Sequence, residues 1–334
     1  MELVDAEVHL GEGLVSPTSK KIINGDVERF KKCIKKLNVR HALVIPAPTF
    51  KFKLANFDIE KSCFWKKTNS GSIIYERILV HNGKRTSFLN PPNPYFNINE
   101  YTLKTIKIEN KQSGRKIFYF VPIIHPKLDS QDKVERFLND NLTVAMKIHG
   151  ICTHSGPADV PDWAVKLSRM YDMPFFVHTD ISLRKTFGSD IMQELTKVRN
   201  LNRACFWANW AVDKGVRAYL AHGAMLDSKA ARIINSTENI VTGTGPDAII
   251  NSDKSRIKSS NLDYLSKLLE MIDSRKILFS SDFPCNAKRV ENFFGPNLDW
   301  NSKIRIIERG LTSGLSKKDI EGILSKNAIR FFKL

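Results

Sequence analysis

Glu7 and His9 stand two residues apart in the apolar run Leu3-Val4-Asp5-Ala6-Glu7-Val8-His9-Leu10, and that spacing is the first sign of chemistry in the chain. Alternate side chains of a strand share a face, so Asp5, Glu7 and His9 are expected together, with Val4, Val8 and Leu10 opposite. A carboxylate and an imidazole on a buried face carry a desolvation cost that a metal ion between them removes. Similar run ends recur. Ala145-Met146-Lys147-Ile148-His149 sets Lys147 and His149 on one face, while Phe175-Phe176-Val177-His178, Leu220-Ala221-His222 and Ser280-Ser281-Asp282 each close an apolar run on a polar residue. Imidazole nitrogens and carboxylate oxygens are the donors that zinc and similar divalent ions take. Singly, each has an ordinary explanation: a loop cap for His149, a helix N-cap for Asp282, a pairing with Asp180 for Lys147. Converging on one place in a fold, they point to a metal site.

The elements that must position these residues follow from apolar periodicity. Eight apolar runs read as strands: 3–10, 41–46, 116–124, 142–149, 173–178, 216–222, 239–242 and 276–281. Helical spacing separates most of them, as in Val27, Phe30, Ile34 and Leu37, in Val134, Phe137 and Leu138, and in residues 161–171, 228–234 and 262–272. Helices are also expected from Asn301 and from Ser316, where Ser316 and Asp319 fit a capping box. Strand–helix alternation argues for a parallel sheet, and eight repeats argue for a (β/α)8 TIM barrel with its active site at the C-terminal strand ends. An open doubly wound sheet would need a glycine-rich turn after an early strand; Gly243-Thr244-Gly245-Pro246 is too short and too late for one. The order breaks at Thr49–Lys116, between the second and third strands. There, runs 75–80 and 85–89 flank His81-Asn82-Gly83-Lys84, a hairpin signal, and Asn99–Asn110 reads as helical. This stretch has too few core residues to fold alone and reads as an insertion, a lid or a dimer arm, in one domain spanning 1–334.

Composition narrows the setting. The 334 residues are 42% hydrophobic, enough for a sizeable core, and the formal net charge is +17. That charge favours anionic ligands, yet much of it is scattered lysine, as in Lys31, Lys32, Lys35 and Lys36, with no arginine-rich run or basic tail. A basic barrel that binds nucleic acid or protein without chemistry would account for the charge but leaves the polar strand ends unexplained. A phosphate-sugar isomerase would need a glycine-rich phosphate loop after strands seven or eight, and Asn286-Ala287-Lys288-Arg289 is a poor substitute. Five dispersed cysteines form no CxxC, no apolar run reaches spanning length, and the first residues are needed as a strand, so a reducing cytoplasm is the expected compartment.

Glu7-Val8-His9, the strand-end His178 and His222, and Ser281-Asp282-Phe283-Pro284 together resemble the amidohydrolase superfamily. The tail Ile323-Leu324-Ser325-Lys326-Asn327-Ala328-Ile329-Arg330-Phe331-Phe332 is similar to the closing helices of its amidohydrolase-related branch, which holds hydrolases of small carboxylic acids and lactones and also aminocarboxymuconate-semialdehyde and resorcylate decarboxylases. The resemblance implies metal ligands Glu7, His9, His178 and Asp282, with zinc expected and manganese the alternative. It implies that His222 polarises the substrate or moves a proton, and that Lys147 stands where some members carry a carboxylated lysine bridging two metals. Glu7 departs from the histidine of most members and is similar to the Glu-x-His of the aromatic-acid decarboxylases.

Lys147, His149, His154, Arg184 and Lys185 lie at or just after strands four and five, so the substrate is expected to be a small anion. The expected reaction is hydrolysis of a C–O or C–N bond, with Asp282 as general base and His222 stabilising the oxyanion or protonating the leaving group. Decarboxylation of an aromatic or unsaturated acid is the alternative that Glu7 favours, because a second carboxylate lowers the ion's power to acidify water.

Overall fold

The computed structural model describes residues 2–15, 22–25, 27, 30–31, 38–46, 51–54, 57–81, 84–179, 197, 200–244, 267–282 and 315–334. Strand β1 (Leu3–Val8) is followed by the antiparallel pair β2 (Gly11–Val15) and β3 (Ile22–Gly25), then by β4 (Val39–Val44). Next come β5 (Lys51–Leu54), β6 (Phe57–Lys67), β7 (Ile73–His81) and β8 (Lys84–Leu89). Helix α1 (Phe96–Ser113) leads into β9 (Phe118–Phe120) and β10 (Ile123–Ile124), and α2 (Gln131–Leu138) into β11 (Met146–Ile148). A short α3 (Gly150–Thr153) and α4 (Asp162–Met170) precede β12 (Phe175–Val177), α5 (Ala204–Asp213) precedes β13 (Ala218–Leu220), and α6 (Ser228–Ser236) precedes β14 (Ile240–Gly243). After β15 (Ile277–Leu278), α7 (Lys317–Glu321) and α8 (Asn327–Phe332) close the chain around a π turn (Gly322–Lys326). The helix expected from Asn301 lies outside the described residues.

The fold is α/β with parallel sheets. One sheet runs β1-β4-β9 and a second runs β10 to β15 in chain order, every pair parallel. Pro122, which has no N–H to give, separates β9 from β10. The strand continues across it, because Phe120 pairs with Thr143 and the carbonyl of Pro122 accepts from the N–H of Lys147 at 2.7 Å. At the other edges, Ala6 N–H donates to Phe279 O at 3.0 Å and Asp282 N–H to Glu7 O at 2.9 Å. Asp5 strengthens that seam, its Oδ1 accepting from the N–H of Ser281 at 2.9 Å and of Glu7 at 3.1 Å.

Period-two alternation divides the strand residues between two apolar clusters. Ala42, Val44, Phe118, Phe120, Met146, Ile148, Phe175, Val177, Ala218 and Leu220 pack against the helices, with Val134, Phe137, Leu167, Trp207, Ala208 and Ile234. Leu43, Ile45, Tyr119, Val121, Ala145, Phe176, Tyr219, Val241 and Leu278 share the other face, with Phe331 and Phe332 of α8 beneath them. Strand β1 departs from simple alternation. Val4 and Ala6 join the second cluster while Val8 and Leu10 join the first, because the β1–β4 register shifts between Asp5 and Val8. The expectation that Val4 and Val8 share a face fails for that reason.

Gly243, at the end of β14, is required by a close approach. A Cβ there would lie 1.8 Å from the hydroxyl oxygen of Tyr219, which is fully buried. Gly243→Ala is therefore expected to destabilise by about 1–3 kcal/mol, the usual cost of overfilling a core, read as a lowered Tm.

The stretch 49–116 contains two different kinds of structure. β5-β6-β7-β8 form a separate antiparallel sheet, with β7 and β8 paired from Glu76↔Leu89 to His81↔Lys84, while Asn82 and Gly83 themselves lie outside the described residues. Helix α1 instead packs on the parallel strands. Its Ile106 lies in the cluster of Leu3 and Phe118, and Asn99 both donates to Ile123 O and accepts from Ile123 N–H, at 2.9 and 3.0 Å. Near the C-terminus, Ser316 and Asp319 form the expected reciprocal cap at the start of α7. Among the described residues, no helix is long and apolar enough to cross a membrane.

Candidate metal centre

Because the strands are parallel and in register, their C-terminal ends gather on one side: Glu7 of β1 and His9 just after it, Lys147 of β11 and His149 just after it, His178 after β12, His222 after β13 and Asp282 after β15. Asp5, Glu7, Lys147 and His222 are buried to within 1% of full enclosure, and His9 to 6%. His9 Nε2 lies 3.1 Å from Asp282 Oδ1 and 3.9 Å from Glu7 Oε1. Its other nitrogen, Nδ1, is 3.0 Å from the carbonyl of Ile45. A carbonyl only accepts, so Nδ1 carries the hydrogen, which turns the Nε2 lone pair toward the carboxylates. A lone pair facing carboxylate oxygens needs a cation between them, either a proton or a metal ion. Glu7 adds a second sign: Oε2 is buried and has no hydrogen-bond partner among the described residues.

Two overlapping groups of possible ligands result, Glu7–His9–Asp282 and Glu7–His178–His222, each with one ligand atom per residue and all within 4.8 Å of one another. The donor set of carboxylates and imidazoles suits a divalent ion such as zinc or manganese. His222 Nε2 is 3.0 Å from His178 Nδ1, so one of these rings donates to the other. His149 stacks on His178 with centroids 3.9 Å apart. Burial pushes the imidazoles of His149 and His178 well below their usual range, and the neighbouring His222, Lys147 and His9 push the same way. Both are thus neutral, the form in which an imidazole can ligate. For Asp282, burial pulls its carboxyl upward, but its contact with His9 and the neighbouring His222 and Lys147 outweigh it and hold the group below its usual value.

Backbone strain concentrates at the same residues. His222 has φ 58° and Asp282 φ 53°, both left-handed, and Ala224, Met225 and Leu226 continue the left-handed turn after β13. Non-glycine residues persist in that region only where the surroundings enforce it, most often at functional sites.

The expected anion-binding residues fare differently from one another. Lys147 Nζ donates to Glu7 Oε1 at 2.9 Å, so its charge is matched inside the protein. His149 accepts from Cys152 N–H at 3.4 Å and starts α3. His154 has φ 46°, and its carbonyl accepts from Lys127 Nζ at 2.8 Å. Arg184 and Lys185 lie outside the described residues.

Two neighbours were missed in the sequence. His125, directly after β10, packs edge-on against Tyr75 of β7 at 4.4 Å between ring centroids. The hydroxyl of Tyr75 donates to Thr153 O at 2.5 Å, which ties the antiparallel sheet to the loops after β10 and β11. Its signal was the run Phe118–Ile124 ending on a histidine like the others; Tyr75 had none. Burial lowers His125 to about 3 and raises Asp129, which accepts from His125 N–H at 2.7 Å, to about 7. A carboxyl raised in the fold gives stability below its unfolded pKa and loses it as pH rises from about 4 to about 7. Asp129→Asn keeps an acceptor and removes the charge. Its stability in urea relative to wild type should therefore rise between pH 4.5 and 7; a constant difference would contradict this.

No protein-family model matches the sequence, and no curated protein matches it. Solved structures do match. An amidohydrolase from Burkholderia multivorans with bound zinc superposes with a TM-score of 0.59 at 10% identity, covering 100% of both chains. A 2,6-dihydroxybenzoate decarboxylase complexed with 2,6-dihydroxybenzoate gives 0.58 at 13% identity, also over 100% of both chains. A dihydroxybenzoic acid decarboxylase from Polaromonas sp. JS666, with manganese and the inhibitor 2-nitroresorcinol, gives 0.55 at 13% identity over 100% of this chain and 97% of that one. These structural neighbours are members of the amidohydrolase superfamily, and the chain has their fold.

Proposed function

We propose that this chain is a metal-dependent hydrolase that cleaves a C–O or C–N bond in a small anionic substrate. Its two parallel sheets are read as one (β/α)8 barrel spanning residues 1–334, a reading supported by the backbone bonds that join them at both edges. The antiparallel sheet β5–β8 is read as the insertion, and α1 as the barrel helix that follows it. Glu7, His9, His178 and Asp282 are assigned as the ligands of one divalent ion. The observation that carries this is the buried His9 Nε2 facing Asp282 at 3.1 Å beside Glu7 Oε2, which has no hydrogen-bond partner among the described residues.

When bound, such an ion acts as a Lewis acid and lowers the pKa of water to about 7. The chain's own groups do the rest. Asp282, ionised and held by His9, accepts the proton of the attacking water. His222, hydrogen-bonded to His178 and fixed in a strained turn, donates to the developing oxyanion or the leaving group. His149 and His178, both kept neutral by burial, add no charge to repel an incoming ion.

Decarboxylation of an aromatic or unsaturated acid is the second reading, supported by Glu7 in the first-strand pair and by neighbours that bind dihydroxybenzoate and nitroresorcinol. Turnover in oxygen-18 water separates the two. Hydrolysis incorporates label into the acid product; release of carbon dioxide with no label in the organic product would reject our choice. A panel of small lactones, esters and amides, each with a carboxylate and without one, tests the substrate class. The anionic member of each pair is expected to react faster, and equal rates would count against an anionic substrate.

A further inference from the structure

We propose that Lys147 is the charge partner of Glu7, so that together they present the ion with a neutral donor. The inference rests on the metal centre proposed above and concerns what Lys147 does there. Lys147 is buried to 1% and Glu7 completely, and Nζ donates to Oε1 at 2.9 Å. The ammonium also lies 4.8 Å from the ring centre of Phe176, an apolar neighbour that offers no competing carboxylate. The backbone of Lys147 is fixed on both sides, by its N–H on Pro122 O and by its register opposite Phe176. A bond to one oxygen of Glu7 leaves the other, Oε2, free of hydrogen bonds among the described residues. One oxygen serves the lysine and the other is left for an ion.

The arithmetic of charge gives this arrangement a chemical meaning. Glu7 and Asp282 contribute two negative charges and Lys147 one positive, a sum of minus one. That is the sum of a site with one carboxylate and only neutral imidazoles. The carboxylate at position 7 therefore does not reduce the ion's Lewis acidity as it would alone, and the objection that Glu7 raises against hydrolysis is removed. The same contact argues against carboxylated Lys147. A carbamate there would remove the ammonium that matches the buried carboxylate of Glu7 and set an anion in its place.

Zinc affinity of the full-length chain, measured by competition with a chelator, tests this without relying on activity. Lys147→Gln keeps a hydrogen-bond donor for Oε1 but carries no charge, and Lys147→Met gives an apolar neutral variant. Both are expected to bind zinc about tenfold or more tightly than wild type, because one repelling unit charge near a divalent ion is gone. Lys147→Arg keeps the charge and should bind much as wild type does. Equal or weaker binding by Lys147→Gln would overturn the proposal, since loss of mere positioning weakens affinity. So would a carbamate carbon signal in wild-type protein equilibrated with carbon-13 bicarbonate, or a second zinc that Lys147→Gln loses. Failure of wild type to take up any zinc would instead reject the metal centre, and the two failures are distinct.

Discussion

Asp282→Asn is expected to lose turnover by about a thousandfold or more and to bind the ion more weakly. The two effects have separate causes. The amide cannot accept a proton, and general-base contributions are typically worth about 10²–10⁴ in rate. It is also neutral, so the partner that faces His9 Nε2 at 3.1 Å no longer attracts a cation. Asparagine is the right substitute because residue 282 has φ 53°, a left-handed conformation that Asn tolerates as well as Asp. Loss of activity is thus not confused with loss of the turn. Metal analysis and steady-state kinetics on one preparation read both effects. An Asp282→Asn protein that binds zinc with wild-type affinity would remove Asp282 from the ligand set.

His222→Asn is expected to behave differently: turnover falls by about 10²–10⁴ while the ion stays. Here too the residue lies in the left-handed region, at φ 58°, so Asn preserves the backbone. The prediction is sharp because His222 also belongs to a group that could ligate, with Glu7 and His178. If His222→Asn lost the ion as well, His222 would be a ligand and the acid would have to be sought elsewhere. His149 would then be the first candidate, since it stacks on His178 in the same cluster.

The parallel part of the fold was legible because its signals are local. Each buried strand reads as a short apolar run, and the helices between show their own periodicity, so the order of elements followed from spacing alone. The candidate residues at the strand ends were legible for the same reason: an apolar run that ends on His or Asp stands out against its own composition. What depends on register was not legible. The shift between Asp5 and Val8 moves Val4 and Val8 to different clusters, and no residue type announces it. Nor did the sequence show that Lys147 reaches Glu7, a contact across 140 positions. Nor does spacing show that α1 packs on the parallel strands, because its attachment through Asn99 to Ile123 is a tertiary bond. The link from Tyr75 to Thr153 is of the same kind.

The account stands or falls on the ion, and anomalous diffraction from crystals grown with zinc locates it most directly. One peak per chain is predicted, about 2.0–2.2 Å from an oxygen or nitrogen of each of Glu7, His9, His178 and Asp282. A chain with no peak at these residues, or with an ion held by a different set, would contradict the proposed centre.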